Sequence, residues 1–209
     1  MTVTEARDWA LPALQARSQE KRDRLVNAGL RLIEDVPYAR LTVSEIAREA
    51  GYGVGTFYRR FPDRQHFLFA LQELANREFL LRLETEVPEP ATPAETVSAV
   101  VTLLVDDRRR RRGLATASLR EATMTGGAWM PFYEAAIGCD QLLRSRLAGP
   151  GSTNDTRIEP SEISFVTQAF YGILNQTTLL QVGATLLDDD ALVERLSKMG
   201  CRYLVIGHH

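Results

Sequence analysis

Histidine and cysteine are scarce in this chain, and their scarcity removes most catalytic chemistry from consideration. His66 is the only internal histidine, so no Ser/His/Asp set can be assembled, and neither an H-E-x-x-H pair nor a glycine-rich phosphate loop is present. Cys139 and Cys201 lie far apart without C-x-x-C or Cys/His spacing, which argues against a zinc site or a disulfide framework and leaves two half-buried thiols as the expectation. No apolar run approaches the roughly 18 to 20 residues that a membrane span requires, and the N-terminus lacks the basic, apolar and small-residue order of a secretory signal. Asp106-Asp107 and Asp188 to Asp190 stand at helix ends, where aspartates serve as caps and dipole partners rather than metal ligands. The expectation is a cytoplasmic protein with no cofactor, metal or membrane association, and not an enzyme.

What is present is an ordinary globular composition, 44% hydrophobic against 25% charged, long enough at 209 residues for one large core or two small ones. The net charge of -2 conceals an asymmetry. Arg17 to Arg64 hold ten basic and seven acidic residues, leaving 15 and 20 elsewhere, so a net +3 segment precedes and adjoins a net -5 remainder. A local basic face points to an anionic partner even when the whole chain is acidic.

Only helical periodicity is found, which predicts an all-α fold of about nine helices. Leu25, Ala28, Leu32, Ile33 and Val36 form one stripe, stopped by Pro37. Thr42-Val43-Ser44-Glu45 has capping-box spacing and starts a short helix that Gly51 ends as a positive-φ cap. A second short helix follows from Val54 to Phe61, closed by Pro62, and Asp63 caps a long helix to about Glu84. Thr92-Pro93-Ala94-Glu95 is another capping box, after the proline-rich Val87 to Pro93 break. Further helices are predicted over about 94–107, 113–124, 131–147, 160–187 and 191–206.

Two short helices joined by a glycine corner have the form of a helix-turn-helix, which sets its second helix in the DNA major groove. Phe57 and Phe61, at i and i+4, fasten that helix from behind, leaving Thr56, Arg59 and Arg60 facing away, with Tyr58 suited to a phosphate at the groove edge. Leu41 to Leu71, "LTVSEIAREAGYGVGTFYRRFPDRQHFLFAL", resembles the DNA-binding segment of the tetracycline-repressor (TetR) family, through Thr42, Ile46, Ala47, Ala50, Gly51, Gly55, Thr56, Phe57, Tyr58, Phe61, Asp63 and Arg64. The resemblance implies a dimeric, usually ligand-responsive repressor, in which Thr42, Tyr58 and Arg64 hold phosphates while Ser44, Val54, Gly55, Thr56 and Arg60 face bases. Tyr52 and Gly53 depart from the family's usual small aliphatic residue and serine. A glycine cap costs only a few tenths of a kcal/mol relative to serine, so the recognition helix is expected to survive.

Farther along, the five arginines of "DDRRRRRG", Asp106 to Gly113, point all round a helix and make no phosphate track; a solvated, Asp-paired helix connection is the main reading, with an acidic ligand or partner the alternative. Met124, Trp129, Met130, Phe132 and Tyr133 cluster around Gly126-Gly127. Such a cluster serves as core or as pocket wall, and its polar company tilts the reading to a pocket. The expected ligand-binding residues are Arg120, Glu121, Met124, Thr125, Trp129, Phe132, Tyr133, Gln168, Phe170, Tyr171 and Asn175. The last two helices each carry an apolar face, and because a symmetric interface needs a self-complementary one, Ile163, Val166, Ile173, Leu174, Leu192, Leu196, Met199 and Tyr203 are expected to form a homodimer interface.

Together these readings predict a DNA-binding domain at 17–65 and a helical ligand-binding and dimerisation domain at 66–206. The expected function is a ligand-responsive transcriptional repressor that binds double-stranded, near-palindromic operator DNA as a homodimer and is released by a small lipophilic or aromatic effector. The alternatives are a regulator without a small-molecule effector, and an all-helical binding protein or enzyme with a vestigial DNA-binding head.

Overall fold

The computed structural model describes residues 16–89, 91–124, 133–148, 158–180, 183 and 185–206, which hold nine α-helices and no strand. The chain divides into two compact units, Met1–Ala75 and Asn76–His209. The division falls within a helix, neither at residue 65 nor at the proline-rich break.

The first unit holds α1 (Ala16–Asp35), α2 (Val43–Glu49), α3 (Val54–Tyr58) and the beginning of α4 (Arg64–Glu86). The local signals act as their chemistry dictates. Thr42 Oγ1 accepts from the Glu45 amide at 3.2 Å, and the Glu45 carboxylate accepts from the Thr42 amide at 2.8 Å, a complete capping box. Gly51 adopts φ 77, a conformation that a side chain would resist. Asp63 accepts from the His66 amide at 2.8 Å at the entry to α4. The core of this unit is Leu25, Val26, Ala28, Ile33, Leu41, Ile46, Ala47 and the α4 residues Phe67, Leu68 and Leu71.

The second unit comprises the rest of α4 with α5 (Pro93–Arg110), α6 (Arg112–Met124), α7 (Glu134–Leu147), α8 (Pro160–Leu179) and α9 (Leu192–Tyr203). Helix α5 is the central element, packing on α6, α7, α8 and α9. Its start is fixed by a second capping box, Thr92 with Glu95, and by Pro93 in the first turn. Gly200 of α9 lets that helix approach α5 and α8, because a Cβ there would stand 2.7 Å from Phe170 Cζ and 3.2 Å from Val97 Cγ1. Buried Thr167, Thr177 and Thr178 satisfy their hydroxyls on carbonyls of their own helix.

Three predicted helix ends come too late: α3 stops at Tyr58 rather than Phe61, α9 at Tyr203 rather than residue 206, and α8 by the most. Helix α8 ends at Leu179 rather than Leu187, and Gly183 beyond it sits at φ 130, outside any helix. Leu186 and Leu187 continue the composition of a helix but not its geometry.

Candidate functional site

The helix-turn-helix is built around three phenylalanines. Phe57, Phe61 and Phe67 are fully buried, with ring centroids 5.3, 5.0 and 4.9 Å apart. Aromatic pairs of this kind add about 0.5–1.5 kcal/mol each beyond the area they bury. They matter because α3 is only five residues long, far too short to persist by its own hydrogen bonds. Its cap, Gly53, offers no side-chain acceptor, so tertiary packing holds the helix.

With Phe57 turned inward, the other face of α3 is outward. Val54 and Gly55 are exposed, Tyr58 is 50% exposed, Arg59 is exposed, and Thr56 and Arg60 are half-buried. Arg59 Nη2 donates to Thr56 Oγ1 at 3.3 Å, and Arg60 Nη1 donates to the Arg59 carbonyl at 3.3 Å. A Cβ at Gly55 would meet nothing within 4 Å, so nothing inside the protein requires glycine there. Thr42 and Ser44 at the start of α2 are also exposed. The Glu45 carboxyl beside them is held below its ordinary value by hydrogen bonds from the Thr42 hydroxyl and amide, so the cap carries a negative charge at neutral pH.

Arg64 departs from this outward set. Its guanidinium lies over the Tyr38 ring at 4.8 Å and donates to the Tyr38 carbonyl, which commits it to the protein. The phosphate-holding role that the resemblance implies for Arg64 has no outward guanidinium to serve it.

In the second unit the expected ligand-binding residues do not converge. Arg120 and Gln168 are exposed, Met124 is 82% exposed, Tyr133 is exposed and Glu121 is half-buried. Phe170 is instead fully buried in the core. Thr125, Trp129 and Phe132 lie outside the described residues. Only Tyr171 and Asn175, one turn apart on α8, present polar atoms toward the interior: the Tyr171 hydroxyl is 3.8 Å from Cys139 Sγ, and Asn175 Oδ1 is buried without a hydrogen-bond partner. Burial pushes the Tyr171 phenol well above its ordinary value and the Cys139 thiol up to about 12, so both stay protonated.

The arginine run is Asp-paired and joins α5 to α6 as predicted, but only Arg110 in it is exposed. Arg109 donates from Nε to the Leu187 carbonyl at 2.8 Å and from Nη2 to that of Asp189 at 2.9 Å. Arg110 pairs with Asp106 at 3.3 Å, Arg111 with Asp107 at 3.1 Å and with Glu78, and Arg112 with Asp188. Arg108 is only 8% exposed. Sequence reading passed over it, although the signal was available: Val97, Val101 and Leu104 are buried at i, i+4 and i+7 along α5, and Arg108 continues that row.

The expected dimer face needs correction. Ile163, Val166, Leu174, Leu192 and Leu196 are buried within their own protomer, and Ile173 and Met199 pack against the same core. Their stripes are spent on α5–α9 and α7–α8 packing. Of the residues expected there only Tyr203 is exposed, at 46%, and it stacks on Phe165, itself 55% exposed, with centroids 5.3 Å apart.

Comparison with known proteins agrees with this architecture. Residues 25–71 match the family described as bacterial regulatory proteins, tetR family. The fatty acid metabolism regulator protein of Bacillus subtilis (strain 168) is 30% identical over 77 residues, 37% of this chain and 40% of that protein. The matches span half or less of the curated relatives' length. Among solved structures, a tetR-family transcriptional regulator from Streptomyces coelicolor superposes with TM-score 0.68 at 17% identity, covering 90% of this chain and 80% of that one. The regulator FadR from Bacillus subtilis in complex with stearoyl-CoA gives TM-score 0.62 at 20% identity, covering 90% and 99%. At such identities the superpositions establish a shared fold, while the match at residues 25–71 falls on the helix-turn-helix itself. Residues 25–71 thus carry the helix-turn-helix segment of the bacterial regulatory proteins of the tetR family, and the chain shares the fold of solved structures described as such regulators.

Proposed function

We propose that this protein is a transcriptional repressor that binds near-palindromic operator DNA as a homodimer and releases it when a small lipophilic or aromatic effector binds its C-terminal unit. The observation that carries the reading is the two-sidedness of α3: Phe57 is locked inward, and Val54, Gly55, Tyr58 and Arg59 are exposed on the other side. Residues 17–65 would bind DNA and residues 66–206 would hold the effector and the dimer contacts.

On DNA, Tyr58 and the Thr42 N-terminus of α2 would meet phosphates, and Ser44, Val54, Gly55, Thr56 and Arg60 would face bases. Exposed Gly55 would let the α3 backbone come close to base edges. The dimer reading moves to the exposed edge of α8 and α9, where Phe165 and Tyr203 stack in water. The effector reading is supported by the stearoyl-CoA complex of the structurally similar FadR.

Selection of bound fragments from random duplex tests the reading. The expected outcome is paired half-sites about 34–36 Å apart, or a multiple of that spacing. Recovery of single, unpaired sites, or of none, would refute it.

A further inference from the structure

Arg108 is the one arginine in the run whose Nη1 is buried with no acceptor to donate to, counting partners among the described residues. An arginine cannot escape burial by losing its proton, so such a group stays charged and unsatisfied. Its electrostatic neighbours are Tyr171 and Asp107. Tyr171 offers a neutral phenol whose hydroxyl lies by Cys139. Asp107 directs its ion pairs to Arg111 at 3.1 Å and Arg110 at 4.0 Å. One turn beyond Tyr171 on α8, Asn175 Oδ1 is another buried polar atom with no hydrogen-bond partner. The second unit therefore buries Arg108 Nη1, Asp107 Oδ1 and Asn175 Oδ1, with Arg82 Nη1 and Ser197 Oγ, without hydrogen-bond partners among the described residues.

A carboxylate fits the donor. It can accept a charge-assisted hydrogen bond from Nη1 and adds a negative charge beside the one that Asp107 already divides among several arginines, which neither an alcohol nor an ester supplies. Resting on the effector-responsive reading above, we infer that Arg108 anchors the effector of this protein and that the effector is an amphipathic organic acid, an apolar body carrying one carboxylate that the Arg108 guanidinium receives beside the Tyr171 hydroxyl.

The full-length chain is titrated calorimetrically with dodecanoate and 4-phenylbutyrate and with their neutral counterparts dodecan-1-ol and 4-phenylbutan-1-ol. At least one acid is expected to bind about tenfold or more tightly than its alcohol, the factor appropriate to a buried charge-assisted hydrogen bond. Arg108→Met should abolish that preference, and Arg108→Lys should keep part of it. The ligand-free Arg108→Met protein should keep the wild-type circular dichroism spectrum, so that a lost preference is not a lost fold. Equal binding of acids and alcohols, binding of neither acid, or a preference that survives Arg108→Met would overturn the inference. Operator affinity measured in parallel separates the two readings. An acid that binds through Arg108 without weakening operator binding upholds the anchor and sinks the effector role. An alcohol that releases operator equally from wild type and Arg108→Met does the reverse.

Discussion

Tyr38 and Arg64 hold each other at both ends: the Tyr38 hydroxyl donates to the Arg64 carbonyl, and the Arg64 guanidinium donates to the Tyr38 carbonyl while stacked on the Tyr38 ring. The loop after α1 is thereby tied to the first turn of α4. Arg64→Ala should lower the stability of the first unit by about 1–3 kcal/mol, the usual range for a charge-assisted hydrogen bond removed from a partly buried site. Because the guanidinium faces the protein, the salt dependence of DNA binding should keep its slope. A slope smaller by about one unit would show that Arg64 does contact a phosphate after all.

Two glycines make a matched pair. A Cβ at Gly29 would stand 2.5 Å from Phe67 Cζ, and that ring is pinned by Phe57 and Phe61, so Gly29→Ala should destabilise by about 1–3 kcal/mol despite alanine's better helix propensity. Gly55→Ala meets nothing and should stabilise by about 0.5–1 kcal/mol, while weakening operator binding where the backbone approaches bases. Urea melts and DNA titrations on both variants check this crossed pattern.

Acid should loosen the capping boxes. The Glu45 and Glu95 carboxyls are held below their ordinary value of 4.5 by hydrogen bonds to Thr42 and Thr92. A depressed folded-state value means that their contribution is complete above the unfolded value and fades as pH falls through the lowered one. Wild type should therefore lose stability below about pH 4.5 in part through these groups, and the Glu45→Gln/Glu95→Gln double variant should show a shallower acid limb in denaturation curves taken from pH 7 downward.

Both cysteines should be silent toward iodoacetamide in the folded protein. Cys139 is fully buried with its thiol pushed up to about 12, and Cys201 is buried with its thiol raised by the same cause. Mass spectrometry should find neither modified at pH 8 and both modified in denaturant. Rapid native labelling of Cys139 would show that the interior opens.

Leu196→Glu should unfold the second unit rather than release folded monomers, since Leu196 is core. Phe165→Glu with Tyr203→Glu should leave the fold intact and yield monomers in sedimentation velocity. A folded dimer of the double variant would place the interface elsewhere.

The contrast between these residues shows which kinds of structure a sequence reveals. Thr42, Gly51, Asp63 and Thr92 could be placed in advance because capping and tight turns are satisfied within a few residues. The outward face of α3 was legible because Phe57 and Phe61 fix its phase. Leu196 was not, because an apolar stripe demands a cover without naming it, and whether that cover is the same chain or another copy depends on contacts far away in sequence. Arg108 was legible from the period of α5 alone, but charge drew the eye to the run as a whole instead of to the phase of one member. Gln168 and Phe170 separate because two positions apart on α8 they lie on different faces, one exposed and one buried.

Helix α3 has too few residues to sustain itself and is moulded by the phenylalanines behind it. Its solvent side therefore contributes little to folding, and Val54, Gly55, Thr56 and Arg59 can be exchanged almost independently of the scaffold. If α3 reads DNA as proposed, the sequence it recognises can change through successive single substitutions while the protein remains folded at every step.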